Sequence, residues 1–197
     1  MSPRRSGRAD TREALFDAAL DFFATLGFRE TTHADIAAEA GIGRTTFYEY
    51  FDSTEDLLVQ LVEERLPVVI AEIVDSLPSD AEPEARLREL AMRTVEFLGT
   101  DHLGLMMHTE AMTLSDDCRK RVAAAHSELV GAFTAALSAG VEAGVFRDIP
   151  VRIAGQLVFQ TVMGAGRMIM DASDPKAQIR KTAGVAVEYL MRGPVSY

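Results

Sequence analysis

A chain of 197 residues, 48% of them hydrophobic, is long enough for one domain or two small ones with an ample core. Its formal charge of −10 argues against a protein that coats nucleic acid wholesale, because phosphate binding needs clustered Lys and Arg. The single Cys118 excludes an intramolecular disulfide framework and fits a reducing cytoplasm, and neither a basic-then-apolar leader nor a run of about eighteen apolar residues points to export or membrane insertion.

The first residues carry Arg4, Arg5, Arg8 and Arg12 against one acid, Asp10, a local charge of +3. Such an arm either reaches phosphates or a minor groove, or is a solubilising tail. From Thr11 to Leu26 the residues Leu15, Ala18, Ala19, Phe22, Phe23 and Leu26 recur at helical spacing, and Gly27 ends the helix. Phe28 is expected to pack with Phe22, Phe47 and Phe51, because a head of about fifty residues needs large side chains to be stable.

The stretch from Thr31 to Phe51 organises the rest. Ile36, Ala37 and Ala40 form one apolar face of a short helix that Thr32 can cap with Asp35 as partner, and Gly41 stops it. A second short helix begins near Gly43; Phe47 and Phe51, with Ile42, point back toward the first, leaving Arg44, Thr45 and Tyr48 on the other face. Two short helices joined by a Gly-containing turn put side chains into a DNA major groove.

The run from Ala34 to Phe51 resembles the DNA-binding segment of the tetracycline-repressor (TetR) family of bacterial transcription regulators, a resemblance that covers roughly residues 10 to 60. It implies an all-α protein: a three-helix, helix-turn-helix head over residues 1–52, and a helical effector-binding and dimerisation body over 53–197. Many relatives carry a Lys just after the motif; here the sequence is Asp52-Ser53-Thr54-Glu55, so affinity is expected to lean on the N-terminal arginines.

Ser53, with Glu55 and Asp56 in the first turn, starts a helix through Leu57, Leu58, Leu61, Val62 and Leu66, which Pro67 kinks or ends. The resemblance makes this helix the lever between head and body. Leu77 to Pro83 is a loop, and Pro83 opens a helix through Leu87, Leu90, Ala91, Thr94, Val95 and Leu98 to Gly99. Ser115 caps one long helix from Asp116 to about Ala143, closed by Gly144. Asp148 and Pro150 start the penultimate helix, and Asp174 and Pro175 the last. Gly155, Gly164 and Gly166 inside the penultimate helix indicate a close approach to its backbone. That approach is either packing within the chain or a four-helix bundle across a two-fold axis, with Leu157, Val158, Thr161, Ala165, Ile179, Ala183 and Val187 as the dimer face.

For DNA, Gly43, Arg44, Thr45 and Thr46 open the second short helix, where side chains and backbone N–H groups meet bases and phosphates. Arg44 is the candidate for a bidentate guanine contact. Tyr48 matches the family's backbone-touching tyrosine, Tyr50 and Thr32 are phosphate candidates, and His33 either reaches DNA or is solvated. The N-terminal Arg4, Arg5 and Arg8 complete the set. For an effector, Met92, Phe97, Met106, Met107, Phe133 and Met163 suit an adaptable apolar cavity or plain core; His102, His108 and Glu110 have the side chains to bind a metal, and His108 and Glu110 those to orient a polar ligand group, with His102 and Glu110 counted among the effector residues. Their spacings match no strong zinc pattern, and no cofactor is expected. Catalysis is disfavoured: Cys118 and His126 lie on one expected helix, too far apart for direct hydrogen bonding, and no Gly-rich phosphate loop follows a strand. The expectation is a homodimeric regulator of a palindromic operator, repressor or activator, with a small, largely apolar effector and no membrane association.

Overall fold

The computed structural model describes residues 3–78, 80–100 and 113–192, and every regular element among them is a helix. Helix α1 (Pro3–Thr25) opens well before the expected Thr11, so the basic residues continue the helix and do not form an extended arm. It stops because Gly27 takes φ +87°, a left-handed conformation that side chains with a Cβ avoid, and the Gly27 N–H donates to the Phe23 carbonyl at 3.2 Å. The expected inner face needs correction. Leu26 lies beyond the last turn and is exposed, Phe22 is half-buried, and Phe28 meets Phe23 at 5.4 Å. Phe16, which the spacing overlooked, is fully buried with its ring 5.4 Å from Phe51.

Helix α2 (His33–Glu39) begins on the expected capping box: Thr32 Oγ1 accepts from the Asp35 N–H at 3.2 Å, and the Asp35 carboxylate accepts from the Thr32 N–H at 3.3 Å. Gly41, at φ +68°, turns the chain away; its N–H donates to the Ala38 carbonyl and that of Ile42 to the Ala37 carbonyl, the bond pair of a Schellman stop. Helix α3 (Arg44–Phe47) is a single turn, after which the chain turns again toward Phe51.

Helix α4 (Thr54–Asp75) starts where Ser53 Oγ accepts from the Asp56 N–H at 3.0 Å, and it runs on through Pro67. The proline removes one backbone donor without ending the helix. Helix α5 (Pro83–Thr100) contains Gly99 where a terminator was expected. The glycine is buried there, and a Cβ would come 2.7 Å from Ile179 Cγ1. The single long helix expected from Asp116 is two, α6 (Asp116–Ala125) and α7 (Ser127–Glu142), bent by 45° at His126, whose ring is buried edge-on to Phe159 at 5.4 Å. Helices α8 (Val151–Met170) and α9 (Pro175–Arg192) follow as expected.

By contacts the chain divides into two compact units. One holds the described residues up to Glu64 and the segment ending at Val122; the other takes up at Arg65 and resumes at Ala123. This division differs from a split at 52/53, which is a division by role. In the second unit α5, α7, α8 and α9 pack on one another around Leu87, Leu90, Leu98, Phe133, Leu137, Val162 and Ile169. Two of the α8 glycines serve that packing: a Cβ on Gly155 would meet Thr134 Oγ1 at 2.2 Å, and one on Gly166 would meet Leu98 Cβ at 2.8 Å. Gly164 has open space before it. No single helix among the described residues is long and apolar enough to cross a membrane.

Burial also corrects the expected dimer face. Val158, Ala165, Ala183 and Val187 point into the chain's own core and have no surface to offer, and Ile179 is half-buried, against Gly99. Leu157 is 63% exposed, and the half-buried Thr161 lies one turn further along α8. The large apolar side chains left outside on the last two helices are Ile153, Leu157 and Met168 of α8 and Val185 and Tyr189 of α9.

Candidate nucleic-acid interface

The opening turn of α3 is presented outward. Gly43, Arg44 and Thr45 are exposed, Thr46 is half-buried, and among the described residues no side chain caps the helix start at Gly43. Its support comes from below: Phe47 is fully buried and packs against Phe51, the ring centres 5.8 Å apart and the planes tilted by 51°. Tyr48, 48% exposed, stands edge-on to Phe47 at 5.6 Å and 5.2 Å from the His33 ring. An aromatic ring held on two sides keeps a hydroxyl in place at small entropic cost, which is what a positioning contact to phosphate requires.

Other candidate residues are occupied in ways the sequence did not foretell. The His33 ring packs against Phe47 and Tyr48, with Nε2 buried and without a hydrogen-bond partner among the described residues, so its visible role is to wedge Tyr48. The Thr32 hydroxyl donates to Asp35 Oδ2 at 2.6 Å, which commits its proton to the helix cap. Arg8 lies with its guanidinium 5.2 Å from the Tyr50 ring centre and donates to the Glu49 carbonyl at 3.2 Å, so it braces the turn after α3. The Arg4 and Arg5 side chains lie outside the described residues.

Positive charge in the head is sparse. Residues 1–64 contain six arginines, no lysine and thirteen acids. Favourable phosphate contacts therefore depend on a handful of guanidiniums and on backbone N–H groups.

A second polar cluster lies on α4. Arg121 donates to Glu63 from Nε at 2.8 Å and from a terminal nitrogen at 2.6 Å, and its other terminal nitrogen reaches Asp56 Oδ1 at 3.3 Å. The hydrogen bonds from Arg121 hold the Glu63 carboxyl below its ordinary range against partial desolvation, and the same bonds raise the Arg121 pKa further. Asp56 Oδ2 also accepts from the Asp52 N–H at 3.2 Å and from Gln60 Nε2 at 2.8 Å, and Gln60 Oε1 accepts from Arg12 at 2.8 Å. The sequence pattern marks Asp56 only as a first-turn acid favoured by the helix dipole and gives Arg121, Gln60 and Arg12 no part in this cluster.

In the second unit a narrow apolar cavity is lined by Leu66, Val69, Ile70 and Ile73 of α4, Thr94, Phe97 and Leu98 of α5, and by His126, Leu129 and Met163. The centre of a water molecule has only about 10 Å³ to move in, so any larger guest must part these side chains. Two of the expected effector residues, Phe97 and Met163, meet here. Phe133 is instead fully buried in the core and Met92 is half-buried away from this lining. His102, Met106, Met107, His108 and Glu110 lie outside the described residues. Of the α4 lining, Leu66 belongs to the apolar pattern before Pro67, whereas Val69, Ile70 and Ile73 lie beyond the proline, where the sequence alone left the helix open to ending. Thr94 Oγ1 already donates to the Leu90 carbonyl at 2.7 Å, which leaves the lining almost wholly apolar in character.

Residues 15–61 match the family described as bacterial regulatory proteins, tetR family, and residues 80–167 match the tetracyclin repressor-like C-terminal domain. The transcriptional repressor KstR2 of Rhodococcus jostii is 27% identical over 82% of this chain and 81% of its own length. The transcriptional regulator EthR of Mycolicibacterium smegmatis is 30% identical over 74% of this chain and 69% of its own. The crystal structure of the transcriptional regulator FadR from Bacillus subtilis in complex with stearoyl-CoA superposes with a TM-score of 0.74, covering 89% of this chain and 97% of that one at 22% identity.

Proposed function

This chain belongs to the TetR family of bacterial regulatory proteins, a family of DNA-binding transcription regulators, and from that premise we propose that it is a homodimeric repressor released from a palindromic operator by a largely apolar effector. By role, residues 1–52 read DNA and residues 53–197 bind the effector and pair the subunits. The observation that carries the DNA reading is the outward opening turn of α3 over a buried Phe47, with Arg44 and Thr45 exposed and Tyr48 wedged by His33. Arg44 is assigned a bidentate guanine contact; Tyr48, Thr45, Thr46 and the Gly43 backbone are assigned phosphates. Two heads set about 34–36 Å apart read the two half-sites. The outer faces of α8 and α9, with Leu157, Met168, Val185 and Tyr189, support pairing through these helices in the cytoplasm.

The effector is assigned to the apolar cavity beside Phe97 and Met163. FadR of Bacillus subtilis, the structural relative described with stearoyl-CoA, makes a long-chain acyl thioester the first ligand to test. Four lining residues come from α4, the helix that begins directly after the reading turn, so a guest that widens the cavity acts on that helix. It releases DNA only through its preference for the unbound conformation; full switching from 1:99 to 99:1 takes about 5.5 kcal/mol of differential affinity.

The test is fluorescence anisotropy on duplexes tiled from the DNA flanking its own gene, with stearoyl-CoA or free coenzyme A added. One duplex held at nanomolar protein and released by stearoyl-CoA alone supports the reading. Failure to hold any duplex overturns it, and equal release by both compounds overturns the apolar effector.

A further inference from the structure

Arg121 is remote in sequence from the reading turn, yet it ends a hydrogen-bonded line to Arg12, from which ring contacts lead on to that turn. From Arg121 the line passes to Asp56, from Asp56 to Gln60, and from Gln60 to Arg12. The Arg12 guanidinium sits 4.6 Å from the Phe16 ring centre and 5.6 Å from that of Phe51, and the Phe51 ring packs against that of Phe47 in α3. A branch from Asp56 accepts the Asp52 N–H, in the turn that joins α3 to α4. Beside it, Glu55 accepts the Ser115 N–H at the start of α6.

We propose that Arg121 is a positioning residue for operator binding: by joining Asp56 and Glu63 it fixes the first turns of α4 and, through Gln60 and Arg12, the aromatic floor beneath the reading turn. The inference rests on the DNA-binding reading and deepens it.

Chemistry separates this cluster from an ordinary surface ion pair. The Glu63 contact is two-pronged, which fixes orientation as well as distance. Asp56 answers three donors at once, so it is neither free to rotate nor left to solvent. Asp56 and Glu63 repel each other across the same helix face, and the cation between them offsets that repulsion. Without it, two carboxylates on α4 seek water separately and the Asp52 and Gln60 bonds lose their common anchor.

Operator affinity, its salt dependence and thermal unfolding are measured on the full chain for Arg121→Met, Arg121→Lys and Glu63→Gln. Arg121→Met is expected to weaken operator binding about tenfold, with the slope of log affinity on log salt unchanged, because Arg121 displaces no counterion from DNA. Arg121→Lys, a single-point cation, recovers part of that loss, and Glu63→Gln, which keeps a hydrogen-bond acceptor, costs less than Arg121→Met. If Arg121→Met does not fold, the Lys and Gln variants decide alone: weaker binding at an unchanged slope supports the proposal and full affinity overturns it. Undiminished affinity in Arg121→Met overturns it, as does a loss accompanied by a shallower slope, which would make Arg121 a direct phosphate contact. A wild-type protein that holds no duplex overturns this inference together with the function it rests on.

Discussion

The two compact units are fastened by different chemistry. In the first, long polar side chains join separate segments: Arg12 to Gln60 and Glu64, Arg8 to the Glu49 carbonyl in the turn after α3, and Arg121 to Glu63 and Asp56. In the second, Arg88 pairs locally with Glu84 and Arg93 with Glu89 in α5, and Arg167 with Asp171 at the end of α8; Arg93 also donates to Ser76 Oγ and Arg86 to the Pro78 carbonyl, but helices meet chiefly through side chains lodged against glycine. Solvated charge pairs are individually weak and yield to salt and acid, whereas a methyl-sized contact gives way only if the backbone moves. The first kind of fastening suits a part that must change its bearing; the second suits a frame.

The largest expected effect is in the frame. A Cβ on Gly140 would fall 2.1 Å from Phe146 Cδ2, a rigid ring, so Gly140→Ala is expected to destabilise by about 2–3 kcal/mol in denaturant unfolding. A cost below about 0.5 kcal/mol would mean that this frame is looser than drawn. Next is the outer face of α8: Leu157→Asp is expected to shift the protein from dimer to monomer in sedimentation at micromolar concentration, and unchanged mass would move the pairing surface elsewhere.

Smaller effects sharpen the contrast. At Gly131, in α7, a Cβ meets nothing within 4 Å, so Gly131→Ala is expected to stabilise by about 0.5–1 kcal/mol, opposite in sign to Gly140→Ala. The polar fastening has a pH signature. Because Arg121 depresses the Glu63 pKa, the stability that carboxylate contributes is complete above the unfolded glutamate value, about 4.3, and is lost as pH falls through the lower folded value. The stability difference between wild type and Glu63→Gln is therefore expected to shrink as pH falls through that window, and a constant difference would deny the coupling.

Much of this was legible in the sequence where one local rule decides. The Thr32–Asp35 box, the Gly41 stop, Ser53 at the start of α4 and the Gly144 closure follow from capping and left-handed turns, which act within a few residues. What escaped was tertiary. Gly99 looks like a terminator until Ile179 is seen against it, and His126 sits inside a helical pattern that bends where its ring is buried. Apolar periodicity finds the stripe on α8 and α9 but not its direction, so Ala183 and Val187 were assigned outward when they face the chain's own core. The exposure of Arg44 and the burial of Phe47 were readable from the spacing of Phe47 and Phe51; the wedge of His33 against Tyr48 was not, because it joins two elements.

The central claim is that the opening turn of α3 reads sequence. It is tested most directly by comparing wild type and Arg44→Ala on an operator duplex and on a scrambled duplex of equal length, at one stated salt concentration. The account expects Arg44→Ala to lose about ten- to a hundredfold on the operator and little on the scrambled duplex, so that selectivity collapses. Equal operator affinity and selectivity in the two proteins would contradict it.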